Sequence, residues 1–357
     1  MRFLNRSREL GYFHRLMEVE PNSIVFCVGP RSCGKSTLIR RVVEEKAKEA
    51  GFDRRYAVYW FDFRGLCATS TSNPISVFFE RGRGRRREGG SRDLPLFRVE
   101  GGVFEGFVVD PRVLERLQEG DLNPFRFLLE KLRYNVRRGR VNLVVLDEIQ
   151  MLQNAYLSRG SPLRQFVEEL LNLLVLMTKV EHIAHCWVVS NNALFVEDLF
   201  MELHMDRCFN YYLLDHLEKG EALRLLSELG FENRECMMIW DVVGGDLWAW
   251  NEVLSGVQVG LPLPTVLSDL QKGALGVLRR KMLSLKVEDP KLYDKVRAIL
   301  QGFVFVDRAP LEAPFMEWGG VRWLVENDVL FYNPVEGVVS FHSPLTLSAA
   351  RNLVAPS

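Results

Sequence analysis

Residues 24–37 read Ile-Val-Phe-Cys-Val-Gly-Pro-Arg-Ser-Cys-Gly-Lys-Ser-Thr. Gly29 and Gly34 stand at the spacing of a phosphate-binding loop, and Lys35 and Ser36 follow the second glycine at once. Glycines let backbone N–H groups turn inward around a phosphate chain, where bulkier residues would hinder them. Pro30, Arg31, Ser32, Cys33 and Thr37 complete this nucleotide cradle. Lys35 places a point charge on the β- and γ-phosphates, and the Ser36 hydroxyl is a ligand for Mg²⁺. A second group lies at 141–148, an apolar run ending in Asp147 and Glu148. Asp147 suits Mg²⁺, directly or through water, and Glu148 is placed to polarise an attacking water. Many strands end in acids, but this pair follows a complete phosphate loop. The chemistry implied is binding of ATP with Mg²⁺ and its hydrolysis to ADP and phosphate.

Both groups need strands to hold them. Residues 24–28 are β-branched and aromatic, a short buried strand. After Gly34, the helical spacing of Leu38, Ile39, Val42 and Val43 predicts a helix whose amino terminus faces the same anion. It ends near Gly51. Further strands are expected at 57–62, 187–190 and 208–214, with helices at 122–134 and 162–179. Residues 65–74 are small and polar. Residues 81–92 read Arg-Gly-Arg-Gly-Arg-Arg-Arg-Glu-Gly-Gly-Ser-Arg, which cannot bury a core. This exposed or disordered loop is either a clamp for nucleic-acid backbones or a solvated insertion. From 216 onward the pattern is helical, over 221–229, 237–243 and from 247, with a break at 260–264. The carboxyl end predicts helices at 292–300 and 318–326, then strands at 329–332 and 338–341 joined by a turn at 333–337.

Composition limits the alternatives. The 357 residues are long enough for two or three domains, and with 47% apolar and 26% charged residues they read as soluble and globular. Zero formal net charge means that any nucleic-acid contact must come from a local patch. Six cysteines, at 27, 33, 67, 186, 208 and 236, form no CxxC pair, which suits a reducing cytoplasm. The amino terminus has no signal-peptide core, and no apolar run is long enough for a membrane helix, so no membrane partner is expected.

Phe3, Asn5, Arg6, Glu9 and Leu10 match the pattern Phe-x-Asn-Arg-x-x-Glu-Leu, and the chain resembles the archaeal ATPase family within the STAND branch of P-loop ATPases, relatives of the AAA+ proteins. The resemblance implies that Asn5 and Arg6 lie near the adenine; read by residue type alone, the segment is a surface helix capped by Asn5 or Ser7. Gln150 fits the family's Asp-Glu-x-Gln. The adjacent acids imply the additional-strand class, in which a strand separates the two motifs. The resemblance also implies a sensor at Ser190 or Asn191, although both are ordinary turn formers. Arg207 becomes a candidate phosphate sensor or finger, or else half of a surface ion pair. Val243-Gly244-Gly245-Asp246-Leu247 resembles the family's Gly-Gly-x-Pro element, with Leu247 in place of the proline.

The expected architecture is therefore α/β: a P-loop ATPase core with a parallel sheet and helices on both faces (1–215), a helical lid (216–280) and a winged helix (281–357). Around Arg322 the second helix of that last unit carries Glu317, Glu326 and Asp328, which opposes major-groove reading by this helix. It could instead contact a protein partner or cover the nucleotide. The function implied is a slowly hydrolysing ATP switch. The alternatives are an ATP-driven DNA-processing protein, as in the similarly built origin-recognition ATPases, and a nucleotide-stabilised scaffold, against which Lys35, Asp147 and Glu148 speak.

Overall fold

The computed structural model describes residues 6–64, 79–81, 107–109, 111–119, 121–153, 162–202, 205, 207–303 and 306–354. Asn5, and the arginine-rich stretch from residue 82 to 92, lie outside them.

Five parallel strands form the central sheet: β1 (Ile24–Val28), β2 (Tyr56–Asp62), β5 (Val141–Asp147), β6 (Ala184–Ser190) and β7 (Phe209–Leu213). Their order is β2-β5-β6-β1-β7. All pair in parallel, with Val28 beside Ser190 and Asp62 beside Asp147. Side chains alternate across the pleat and both faces are covered, which is why these strands read as continuous apolar runs. Ala57, Tyr59 and Phe61 of β2 enter one core cluster, while Tyr56, Val58 and Trp60 enter the other. Two short strands, β3 (Phe79–Arg81) and β4 (Phe107–Val109), pair apart from this sheet.

One face carries α1 (Ser7–Leu16), α2 (Lys35–Lys46) and the short α3 (Phe52–Arg55), which pack Phe13, Leu38, Val42 and Phe52 on the strands. α1 corrects one expectation. Ser7 is already its first helical residue, and Arg6 occupies the cap position without a side-chain cap bond. After α4 (Pro111–Gln118), α5 (Pro124–Arg137) and α6 (Pro162–Val175) cover the other face. α5 starts two residues later than its periodicity suggested because Asn123 caps it. Asn123 Oδ1 accepts from Phe125 N at 2.9 Å and Arg126 N at 3.0 Å, and Pro124 presets the first turn. β6 begins at Ala184 rather than 187; Ala184, His185 and Cys186 are buried and continue the pairing with β5 and β1.

After α7 (Ala193–Glu202) and β7 the chain becomes helical. α8 (Lys219–Glu228), α9 (Asn233–Val243), α10 (Leu247–Gln258) and the start of α11 (Leu263–Glu288) enclose a separate apolar core around Leu226, Ile239 and Trp250. α11 runs through residue 280 without a break, so the lid and the carboxyl-terminal unit share one helix. α12 (Pro290–Gly302), β8 (Arg308–Pro310), α13 (Trp318–Glu326), β9 (Leu330–Asn333), β10 (Val338–Phe341) and α14 (Pro344–Val354) complete the chain. The antiparallel sheet β8-β10-β9 and its helices have the order of a winged helix. Their core is continuous with that of the sheet face carrying α5 and α6. Among the described residues no helix is long and apolar enough to cross a membrane.

Candidate nucleotide site

The phosphate loop joins β1 to α2 at the carboxyl edge of the sheet. Gly29 is fixed by close approach: a Cβ there would lie 1.9 Å from Leu214 O, on the backbone that leaves β7. Gly34 takes φ +95°, a left-handed conformation that favours glycine, and releases the chain into α2. Lys35 is 8% exposed, and its Nζ donates to Gly29 O at 2.9 Å and Pro30 O at 2.8 Å. A phosphate in the loop would meet this ammonium and the amino end of α2 together. Arg6 is equally buried and donates to Cys33 O at 3.1 Å and Asp215 O at 2.7 Å, tying the amino-terminal segment to the loop.

β6 lies between β1 and β5, so a full strand separates the loop from the acid pair. The two meet at the edge, where Ser36 Oγ donates to Asp147 Oδ1 at 2.9 Å. Asp147 is 3% exposed, and burial pushes its pKa up to about 6 against the Ser36 hydrogen bond. A hydroxyl and one carboxylate side by side are hard oxygen donors that suit Mg²⁺, which takes few protein ligands and completes its shell with phosphate and water.

Glu148 adopts φ +60°, uncommon for a non-glycine residue and found at positions that the surroundings fix. Arg64, just beyond β2, pairs with its Oε1, and Gln150 Nε2 donates to Oε2. Ser190 Oγ in turn donates to Gln150 Oε1 at 3.0 Å, so the buried tip of β6 reaches Glu148 through one side chain.

The carboxyl-terminal unit closes over this edge. Asp328, at the turn between α13 and β9, accepts from Arg31 Nη1 at 2.8 Å and from Asn191 Nδ2 at 3.0 Å. Arg31 N donates to Nδ1 of the buried His342 at 2.9 Å, and Gln153 bonds Glu326 at 2.6 Å. Burial, with the charge of Lys35 next, holds His342 well below the usual histidine range, so the imidazole is neutral. From the lid, Asp246 caps α10, and Leu247 Cδ1 lies 3.2 Å from where a Cβ on Gly34 would stand. Lys35, Ser36, Glu148, Asn191, Trp248 and His342 line one cleft of about 1650 Å³ among the three parts.

Most residues singled out from the sequence thus converge: Gly29 to Thr37, Arg6, Asp147, Glu148, Ser190 and Asn191. Arg207 does not. It is exposed and precedes β7, and Ile24 N donates to the adjacent Cys208 O at 3.1 Å, so it sits at the amino-terminal edge of the sheet. The five residues of β1 separate it from the loop by about 17 Å at 3.3 Å per residue. Arg64, Asp328 and His342 carry no local motif; only for Arg64, just past a strand's carboxyl end, does position hint at a role. Arg322 is held by Asp198 at 3.0 Å and Glu326 at 2.9 Å.

The raised pKa of Asp147 gives a testable sign. The fold binds its proton more tightly than the unfolded chain does, so stability associated with this group is full below the unfolded value near 4. It is lost as pH rises to about 6. Asp147→Asn keeps the oxygen that accepts from Ser36. In melting experiments without nucleotide or metal it should match the parent near pH 4 and exceed it by about 3 kcal/mol above pH 6. A difference independent of pH would show that Asp147 is not charged at that cost.

The strand order, the loop and the acid pair define a P-loop ATPase core. The chain belongs to the family described as an ATPase domain predominantly from Archaea, which matches residues 3–253. An uncharacterized ATP-binding protein of Methanocaldococcus jannaschii is 26% identical over 349 residues, covering 95% of this chain and 91% of its own. The Walker-type ATPase of Pyrococcus abyssi superposes with a TM-score of 0.63 at 15% identity, covering 98% of this chain and 96% of that one. The ORC2 protein of Aeropyrum pernix, in ADPNP–ADP complexes, follows with a TM-score of 0.51 at 11% identity, covering 99% and 96%. At such identities the two structures share the fold alone.

Proposed function

We propose that the chain is a STAND-type switch that binds MgATP, hydrolyses it slowly and couples nucleotide state to closure of its three parts, 1–215, 216–280 and 281–357. The observation that carries this reading is the pair of bonds from Asp328 to Arg31 and Asn191, which ties the carboxyl-terminal unit to the phosphate side of the site. In this reading Lys35, Ser36 and the loop amides hold the triphosphate, and Ser36 and Asp147 hold Mg²⁺, which neutralises phosphate charge when bound. Glu148 orients water, and Ser190 or Asn191 senses the γ-phosphate. Slow basal turnover is in keeping with Glu148, whose two carboxylate oxygens are engaged by Arg64 and Gln150. A base must be freed, or tilted, before it can take a proton from water.

Hydrogen exchange tests the coupling. The turn at 327–329 and the segment 341–343 should exchange at different rates in MgATP and MgADP, because only ATP offers a γ-phosphate to compete with Asp328 for Arg31 and Asn191. Asp328→Ala removes both contacts, of which the exposed one to Arg31 is worth at most about 1 kcal/mol, and should abolish most of the difference. Identical exchange with both nucleotides would sink the switch reading.

A further inference from the structure

One surface remote from the nucleotide cleft is strongly basic. Residues 123–140 carry six basic side chains (Arg126, Lys131, Arg133, Arg137, Arg138, Arg140) and one acid, Glu130, in a protein whose formal net charge is zero. α5 buries Phe125, Leu128, Leu129, Leu132 and Asn135. Phe127, Lys131, Tyr134 and Arg138 follow at the i, i+4, i+7, i+11 spacing of one helical stripe on the opposite side. Phe127 is 38% exposed and Tyr134 44%.

The acids nearby are already taken. Glu130 pairs with Arg126 at 3.5 Å, and Glu181 pairs with Arg133. Arg140 turns inward and donates to Tyr56 O at 2.5 Å. Lys131, Arg137 and Arg138 have no ion-pair partner among the described residues. Two of these cations flank the tyrosine: Arg138 Cζ lies 4.9 Å from the Tyr134 ring centroid and Lys131 Nζ 5.5 Å. A surface helix has no structural need for such an excess. An unbalanced run of like charge repels itself, and interspersed signs are the stabilising pattern.

We propose that this face of α5 binds single-stranded nucleic acid. Lys131, Arg137 and Arg138 meet its phosphates, and Tyr134 with the Arg138 guanidinium forms a flat platform for a base. Each component suits that ligand: cations that follow a backbone, and an aromatic ring on which any base stacks without sequence preference. A helix face exposes a convex ridge, which offers no pocket for a free nucleotide but can lie along a flexible strand. The site stands apart from the ATPase reading and does not depend on it.

Fluorescence anisotropy of a labelled 12-nucleotide single strand, titrated with the full chain from 20 to 200 mM salt, tests the proposal. Each phosphate contact contributes about −0.7 to the slope of log K against log salt, so three cations contribute roughly −2. Replacing Lys131, Arg137 and Arg138 together by Ala should flatten the slope by that amount. Tyr134→Ala should lower affinity at least about fivefold and leave the slope intact, the lower end of base–aromatic stacking. Circular dichroism and ATP affinity should be unchanged in both variants, since neither touches the core or the cleft. The proposal is overturned if the parent chain binds no strand at 20 mM salt. It also falls if binding survives the triple change but is lost with Arg85, Arg86 and Arg87 changed to Ala. Capture by phosphatidylserine vesicles, with no binding of the strand, overturns it too.

Discussion

Glu148→Gln should bind MgATP as tightly as the parent and turn it over roughly 10²–10⁴-fold more slowly, the usual contribution of a general base. Glutamine keeps the size of the side chain and its strand-end position but loses the carboxylate. In the structure that carboxylate is poised at the cleft, paired with Arg64 and with Gln150. The glutamine cannot accept a proton from water, and its ion pair with Arg64 is gone. Binding should survive because the proposed reading puts the triphosphate contacts elsewhere, on Lys35 and the loop amides. Asp147→Asn should behave differently, weakening Mg²⁺-dependent binding together with turnover, since the proposed reading gives the metal to Asp147 and Ser36, which share a hydrogen bond. Single-turnover measurements with saturating enzyme separate binding from chemistry. Equal rates for parent and Glu148→Gln would leave Glu148 as a surface acid at a strand end.

Lys35→Ala should lower MgATP affinity by on the order of 10²-fold or more, from the loss of charge-assisted hydrogen bonds worth about 1.5–3 kcal/mol each. Lys35 is nearly buried on the loop carbonyls of Gly29 and Pro30, 3.6 Å from Cys33 Sγ. Alanine would also leave those carbonyls without their donor, so some loss of stability is expected as well. Lys35→Met keeps much of the volume and isolates the charge. Calorimetry on both variants, after melting curves confirm that they fold, reads the affinity. Unchanged binding in both would mean that the phosphates do not sit in the loop.

The sequence by itself determined what depends on neighbouring residues. Gly29, Gly34, Lys35 and Ser36 act as one turn, and their spacing is their chemistry. The strands at β1 and β5 read as uniformly apolar because both faces of a parallel sheet are covered, and Asp147 and Glu148 mark the end of one of them. The family resemblance added the order of the parts, and the strand between the two motifs followed from it. What the tertiary structure alone decided is which distant side chains complete the site. Arg31 and Asp328 meet across 297 residues, and Arg64 and Glu148 across 84. No local period records such pairings, which arise only when β2 lies beside β5 and α11 carries the last unit back over the loop. The resemblance made Arg207 a candidate phosphate sensor or finger, or else half of a surface ion pair, and only the packing shows where it lies. It precedes a strand that runs parallel to β1, so the direction of β7 puts it at the far edge of the sheet. A motif can specify a turn, but the end of the sheet on which a residue falls is fixed by how the strands pack.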